Sequence, residues 1–149
     1  IIQNLLGNQL LSSSVNIASG TCVGTVVDEK DNAIYWFVTD SNRDMILQYK
    51  NGSTKTVFND PSKKVLSFDE NNIITGINIL DNFLFWTDNK YEPKKIHIQR
   101  SISGTDQSLQ GEIEQTKLVV NNIATRVEVT ESHITVIKKS PKYPPVLET

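Results

Sequence analysis

A single cysteine and a single methionine stand among 149 residues, and each further scarcity in this sequence removes a class of function. One thiol, Cys22, can neither close an internal disulfide nor build a thiolate metal centre. Its simplest reading is a small apolar side chain in a strand. No window approaches the roughly 18 consecutive apolar residues that a bilayer-crossing helix needs. Charge of one sign never accumulates: lysines run no longer than pairs, at 63–64, 94–95 and 138–139, and the formal net charge is -2. Such a balance gives no long-range attraction to nucleic acid or an anionic membrane, and the pairs read as solvated strand edges. Also missing are a Gly-rich phosphate loop, a G-x-S-x-G elbow and an H-E-x-x-H helix. The acidic turns at 28–31 (DEKD) and 69–72 (DENN) lack the D-x-[DN]-x-[DN]-G spacing of a calcium loop. The reading therefore assigns no catalytic, cofactor-binding or metal-ligating residue, expects no cofactor, and takes the chain for a non-enzyme.

What is present is a folded composition, 38% hydrophobic and 21% charged, with an apolar period of two over most of its length. Residues 1–20 read as an extended lead-in. Residues 21–60 form a first unit of four strands, TCVGTVV, AIYWFVT, MILQYK and STKTVF, in which Asn51-Gly52 supplies the positive φ values of a tight hairpin. Residues 61–120 repeat the order of events: IITGINIL, the aromatic strand FLFWT, a charged bend, the strand KIHIQR, a polar surface loop at 101–115, and TKLVV. Residues 121–149 begin a further β unit with TRVEVT and HITVIKK, then run into a Pro-rich extended end at Tyr143-Pro144-Pro145. No segment calls for a helix.

The two aromatic strands share one grammar. Each runs into Thr-Asp, at Thr39-Asp40 and Thr87-Asp88, crosses a polar bend and resumes as an amphipathic strand, with a period of 48 residues. Eight of the eleven aromatic residues fall in the two windows 33–49 and 83–98, so the repeat is a packing device: Trp36 and Trp86 cover apolar area between sheets rather than stack on sugars. Asp40 and Asp88 read as carboxylates that close turns by accepting backbone N–H groups. His97 and His133 lie 36 residues apart in alternating segments, which places each on a solvent-facing or inter-subunit side and not in a metal pair.

Four short strands per unit, recurring every 40 to 50 residues, are the signature of propeller blades. The fold class expected is all-β, with partial β-propeller-like blades of four short antiparallel strands in a larger chain or assembly; a small β-sandwich is the alternative. A closed ring at this period needs about 190 residues or more, and the first residue is not Met, so the sequence reads as a fragment. YWFVTD at 35–40 and LFWTD at 84–88 resemble the Tyr-Trp-Thr-Asp repeat of receptor-type six-bladed propellers, with Phe37-Val38 inserted in the first copy. A second resemblance covers most of the chain. IYWFVTDSNRDMILQY, LFWTDNKYEPKKIHIQRS and VTESHITVIKKSPKYPPVLE are similar to segments of a large tail (muzzle-type) structural protein of crAss-like tailed bacteriophages. That resemblance implies a virion structural protein located in a phage tail. Its partners would be copies of itself in a ring, other tail proteins and the remainder of its own gene product. The alternative function is a propeller-type receptor or glycan-binding module, for which the 101–115 loop is the recognition candidate; a glycan-cleaving enzyme comes third.

Overall fold

The computed structural model of the chain describes residues 19–108 and 114–138. The expectations for residues 1–18, for 109–113 of the surface loop and for the Pro-rich end at 139–149 lie outside them. Four strands, β1 (Thr21–Asp28), β2 (Ala33–Thr39), β3 (Asp44–Lys50) and β4 (Ser53–Asp60), form an antiparallel meander in the order β1-β2-β3-β4. Alternation explains its two faces. Tyr35 and Phe37 point with Val23, Ile46 and Phe58 into the main core, while Val38, Met45 and Leu47 bury a smaller cluster against Trp36 on the other side. Asn51 and Gly52 have φ of 51° and 79°, the primed turn that follows the natural strand twist between Lys50 and Ser53.

A second sheet holds β5 (Gly76–Leu80), β6 (Phe83–Thr87) and β7 (Lys94–His97) in the order β5-β6-β7. A helix, α1 (Ile98–Gly104), follows directly, and a third sheet pairs only β8 (Lys117–Val120) with β9 (Ile123–Glu128). One more helical turn, α2 (Glu131–Ile134), closes the described part. The first two sheets meet through aromatic edges: the Phe37 ring lies 5.5 Å from both Phe68 and Trp86. Gly24 permits that approach, because a Cβ there would stand 2.8 Å from Ile77 Cδ1.

These sheets correct the expected architecture. Three open sheets of four, three and two strands replace the expected succession of four-stranded blades, so the propeller-like fold class is wrong. The strands of residues 21–60 fall where alternation placed them. The second unit departs at Ile98, where KIHIQR leaves strand geometry. His97 takes the N-cap position, Ile98 is buried and Ile102 packs against the same core one turn later, a helical spacing hidden inside an alternating one. With β7 ended, β8 has no place beside it and pairs with β9 instead. HITVIKK is likewise not a strand: residues 131–134 form α2, and Thr135 makes a single bridge to Lys94. The supposed surface loop at 101–115 begins in α1 and contains buried Gly104, Thr105 and Gln115. Cys22 stands in a strand as read, but exposed.

Candidate functional site

Both Thr-Asp corners are built as their sequence suggests. Asp40 Oδ1 accepts the N–H groups of Asn42 and Arg43 at 2.7 and 2.8 Å. Asp88 Oδ1 accepts those of Lys90 and Tyr91 at 3.0 and 2.8 Å. Each carboxylate replaces the ladder bonds lost where its aromatic strand ends. The expected packing role of the tryptophans also holds: Trp86 is buried against Phe37, and half-buried Trp36 lies 6.3 Å from the Tyr49 ring.

Between the corners lies a polar groove of about 670 Å³, lined among others by Thr39, Asp40, Lys63, Asp69, Lys90 and Tyr91. The first corner contributes Thr39 and Asp40, and the turn closed by Asp88 contributes Lys90 and Tyr91. The Asp69 turn forms a further wall, with Asp69 Oδ1 accepting from Asn71 N–H and Oδ2 meeting Lys90 Nζ at 3.2 Å. The Asn71 N–H bond, then Lys90, hold the Asp69 carboxyl below its ordinary value, while Asp69 raises the Lys90 ammonium. The Lys90 and Lys94 ammonium groups stand 5.7 and 5.3 Å from the centre of the Tyr91 ring.

Beneath the groove, charged groups work as pins. Fully buried Asp44 accepts the Thr39 hydroxyl at 2.7 Å on Oδ1 and the Phe68 N–H at 2.8 Å on Oδ2, with Lys63 Nζ 3.4 Å away. Burial pushes its carboxyl up, against the opposing pull of those hydrogen bonds and of Lys63. Directly across the strand pair, buried Asp60 accepts the N–H groups of Val65 and Leu66 at 2.7 and 2.8 Å and the Ser62 hydroxyl at 2.6 Å. Lys94, also buried, donates to the Leu66 carbonyl at 2.9 Å and lies 3.6 Å from Glu131. Together these three hold the backbone of Val65, Leu66 and Phe68 against β3, β4 and β7, so their side chains are committed to the fold.

The sequence reading missed these pins. Lys94 was legible: a period of two puts it on the same face as Ile96, hence inward. Asp44 had no such signal, since its burial depends on Phe68 arriving from a distant turn. His97 and His133, read as unrelated, line one small cavity at the other side of the second sheet. Each imidazole caps a turn, with Nδ1 accepting from Arg100 N–H at 3.4 Å and from Thr130 N–H at 3.0 Å. Among the described residues no group of three or more His, Cys, Asp or Glu side chains converges as a metal site would. The groove thus sets hydrogen-bond donors and acceptors beside the exposed Tyr91 ring.

Comparison with the models of known families, with curated proteins and with solved structures finds no match. The resemblance to crAss-like tail proteins and to Tyr-Trp-Thr-Asp propellers is therefore withdrawn: no relative stands behind it, and the open sheets contradict the blades it implied.

Proposed function

We propose that this chain is a structural, assembly-forming protein: a non-enzymatic β-rich scaffold used in multiple copies, with copies of itself and neighbouring proteins as its partners. The observation that supports this reading is apolar surface on the small sheets and their connections. Val27, Ile73, Leu80, Val120, Ile123, Val127 and Ile137 are 56–72% exposed. Exposed apolar residues scattered singly need no explanation. Here four of the seven fall on β5 and the β8–β9 hairpin, three of them on the hairpin alone, and a two-stranded hairpin gains little stability of its own in water. A neighbour laid over them would supply the missing layer. The test is the native mass of the full chain, by sedimentation of material from its native source and of purified protein. A multi-copy particle is expected; a monomer at tens of micromolar, unassociated in its source, would overturn the reading.

A second reading, a glycan-recognition module, is favoured by the groove. Tyr91 is 44% exposed and offers a ring face beside the donors and acceptors of Lys90, Asp69 and Asp40. This moves recognition away from the 101–115 segment, because Thr105 and Gln107 bond to Val57 and Thr56 of β4 and so serve the fold. Glycan binding lost in Tyr91→Ala would support the groove; unchanged binding would reject it.

A further inference from the structure

The cavity lined by both histidines is chemically one-sided. Its volume is about 220 Å³, at the small end for a ligand pocket, and Phe58, Ile96, Leu118, Val129 and Ile134 give it an apolar interior. Phe83, 39% exposed, forms part of the wall, its ring 5.0 Å from that of His97 in an edge-to-face contact. Among the described residues the charged side chains lining the cavity are Lys95, Arg100 and Lys117, with no carboxylate. Elsewhere several lysines meet a carboxylate, as Lys50 does Asp31 and Lys90 does Asp69. Here only Lys117 has such a partner, Glu114, which is exposed outside the cavity lining. Lys95 and Arg100 have no carboxylate partner among the described residues.

The histidines add to this polarity. An imidazole whose Nδ1 accepts a backbone N–H must carry its proton on Nε2, so in each ring the remaining nitrogen is a donor. Two imidazoles, the side chains of Lys95, Lys117 and Arg100, and Ser101 thus line a cavity with an apolar interior, and the complement of that arrangement is an anion with a compact apolar body.

We propose that this cavity binds a small monocarboxylic acid carrying one aromatic ring or a short branched chain, with its apolar body against Ile96 and Leu118 and its carboxylate towards Arg100 and Lys95. The site is separate from the groove and does not depend on the scaffold reading.

The test uses the full chain, isotope-labelled, titrated by two-dimensional NMR with 3-phenylpropionate, with the neutral alcohol 3-phenylpropanol and with 3-phenylpropylamine. The acid should give saturable shifts confined to residues around Ile96, Arg100 and Leu118 and to the imidazole signals of His97 and His133. Loss of the charge-assisted bonds should weaken binding about tenfold for the alcohol and abolish it for the amine. The doubly substituted Lys95→Gln, Arg100→Gln protein changes two exposed side chains, so its spectrum should otherwise match the wild type while the acid binds about tenfold more weakly. Acid and alcohol binding equally would overturn the proposal, as would acid affinity unchanged in the double variant. Absence of any saturable shift up to about 10 mM acid, beyond the range of a specific site, would overturn it as well.

Discussion

The two Thr-Asp corners use the same residues to different ends. Thr39 is buried, donates to Asp44 at 2.7 Å and accepts from Lys63 at 2.9 Å. Thr87 is exposed, and among the described residues its hydroxyl meets the Asn89 N–H alone, at 3.4 Å. The difference lies across the strand pair. Asp44 stands opposite Thr39, whereas the pairing of Trp86 with Lys94 brings Pro93 towards the corresponding place beside Thr87. Proline brings no carboxylate and no N–H. The motif therefore specifies the turn in both units, and the residue facing it decides whether the corner becomes a buried junction or a surface bend.

Removing the deciding carboxylate should have the largest effect. Asp44→Ala leaves the Thr39 hydroxyl, the Phe68 N–H and Lys63 without their shared acceptor, a loss of about 3 kcal/mol once the partial exposure of Lys63 is discounted. Thr87→Ala at the second corner should change stability by about 0.5 kcal/mol or less. Urea unfolding of both variants measures the contrast, and equal losses would break it.

A contrast of similar kind separates the first sheet from the third. Four strands share the first, while the two-stranded β8–β9 depends on α1, and Gly104 is the contact: a Cβ there would collide with the Lys117 carbonyl. Gly104→Ala should therefore destabilise by about 2 kcal/mol through forced separation of the helix from β8. Hydrogen exchange would locate the damage. Faster exchange in β8 and β9 with β2 and β3 unchanged is the expected pattern; uniform loss would mean that the third sheet is integral to the first.

The first corner and the Asp69 turn beside it should also differ in pH response. Asp44 has its carboxyl raised above 3.8, first by burial. Its unfolded counterpart releases a proton earlier as pH rises, so the protonated group's contribution is fully present below 3.8 and is lost as pH climbs through the raised folded value. Asp69, lowered from 3.8 first by the Asn71 N–H, has the opposite sign: its contribution is present above 3.8 and lost as pH falls through the lowered value. The stability of wild type minus Asp44→Asn should thus decline with rising pH just above 3.8, and that of wild type minus Asp69→Asn should rise across the region below it. Denaturant unfolding from pH 3 to 7 reads both slopes, and slopes of one sign would refute the assignment.

Much of this was legible in the sequence where local rules act alone. Alternation placed the strands of residues 21–60, Asn51-Gly52 marked its hairpin, and Asp40 and Asp88 announced their turns, because each depends on neighbours within a few residues. Failure began where two periods coincide. In KIHIQRSISG, Ile96 and Ile98 satisfy a strand, while Ile98 and Ile102 satisfy a helix; the choice is made by the His97 cap and by the close approach of Gly104 to β8, contacts that no local pattern carries. Reading that segment as a strand made the second unit a copy of the first and produced the propeller. The histidine cavity was hidden for the same reason, since residues 97 and 133 meet it only because one strand ends in a helix and a later segment folds back as another.

The smallest contrast is between two hairpins of one geometry. Asn51-Gly52 has φ of 51° and 79°, and Asn121-Asn122 has 52° and 64°. Both are primed turns, but the second lacks the glycine that tolerates this region without a Cβ penalty. Asn122→Gly should therefore stabilise β8–β9 by about 0.5 kcal/mol. Conversely, Gly52→Ala should cost about 1 kcal/mol from backbone conformation, since a Cβ at Gly52 meets no atom within 4 Å. Slower exchange of β8 and β9 amides in Asn122→Gly is the direct readout. No change there would mean that the pairing of these strands is limited by the register shift between Lys117 and Val119, so that the third sheet is held by its packing on α1 and not by its turn.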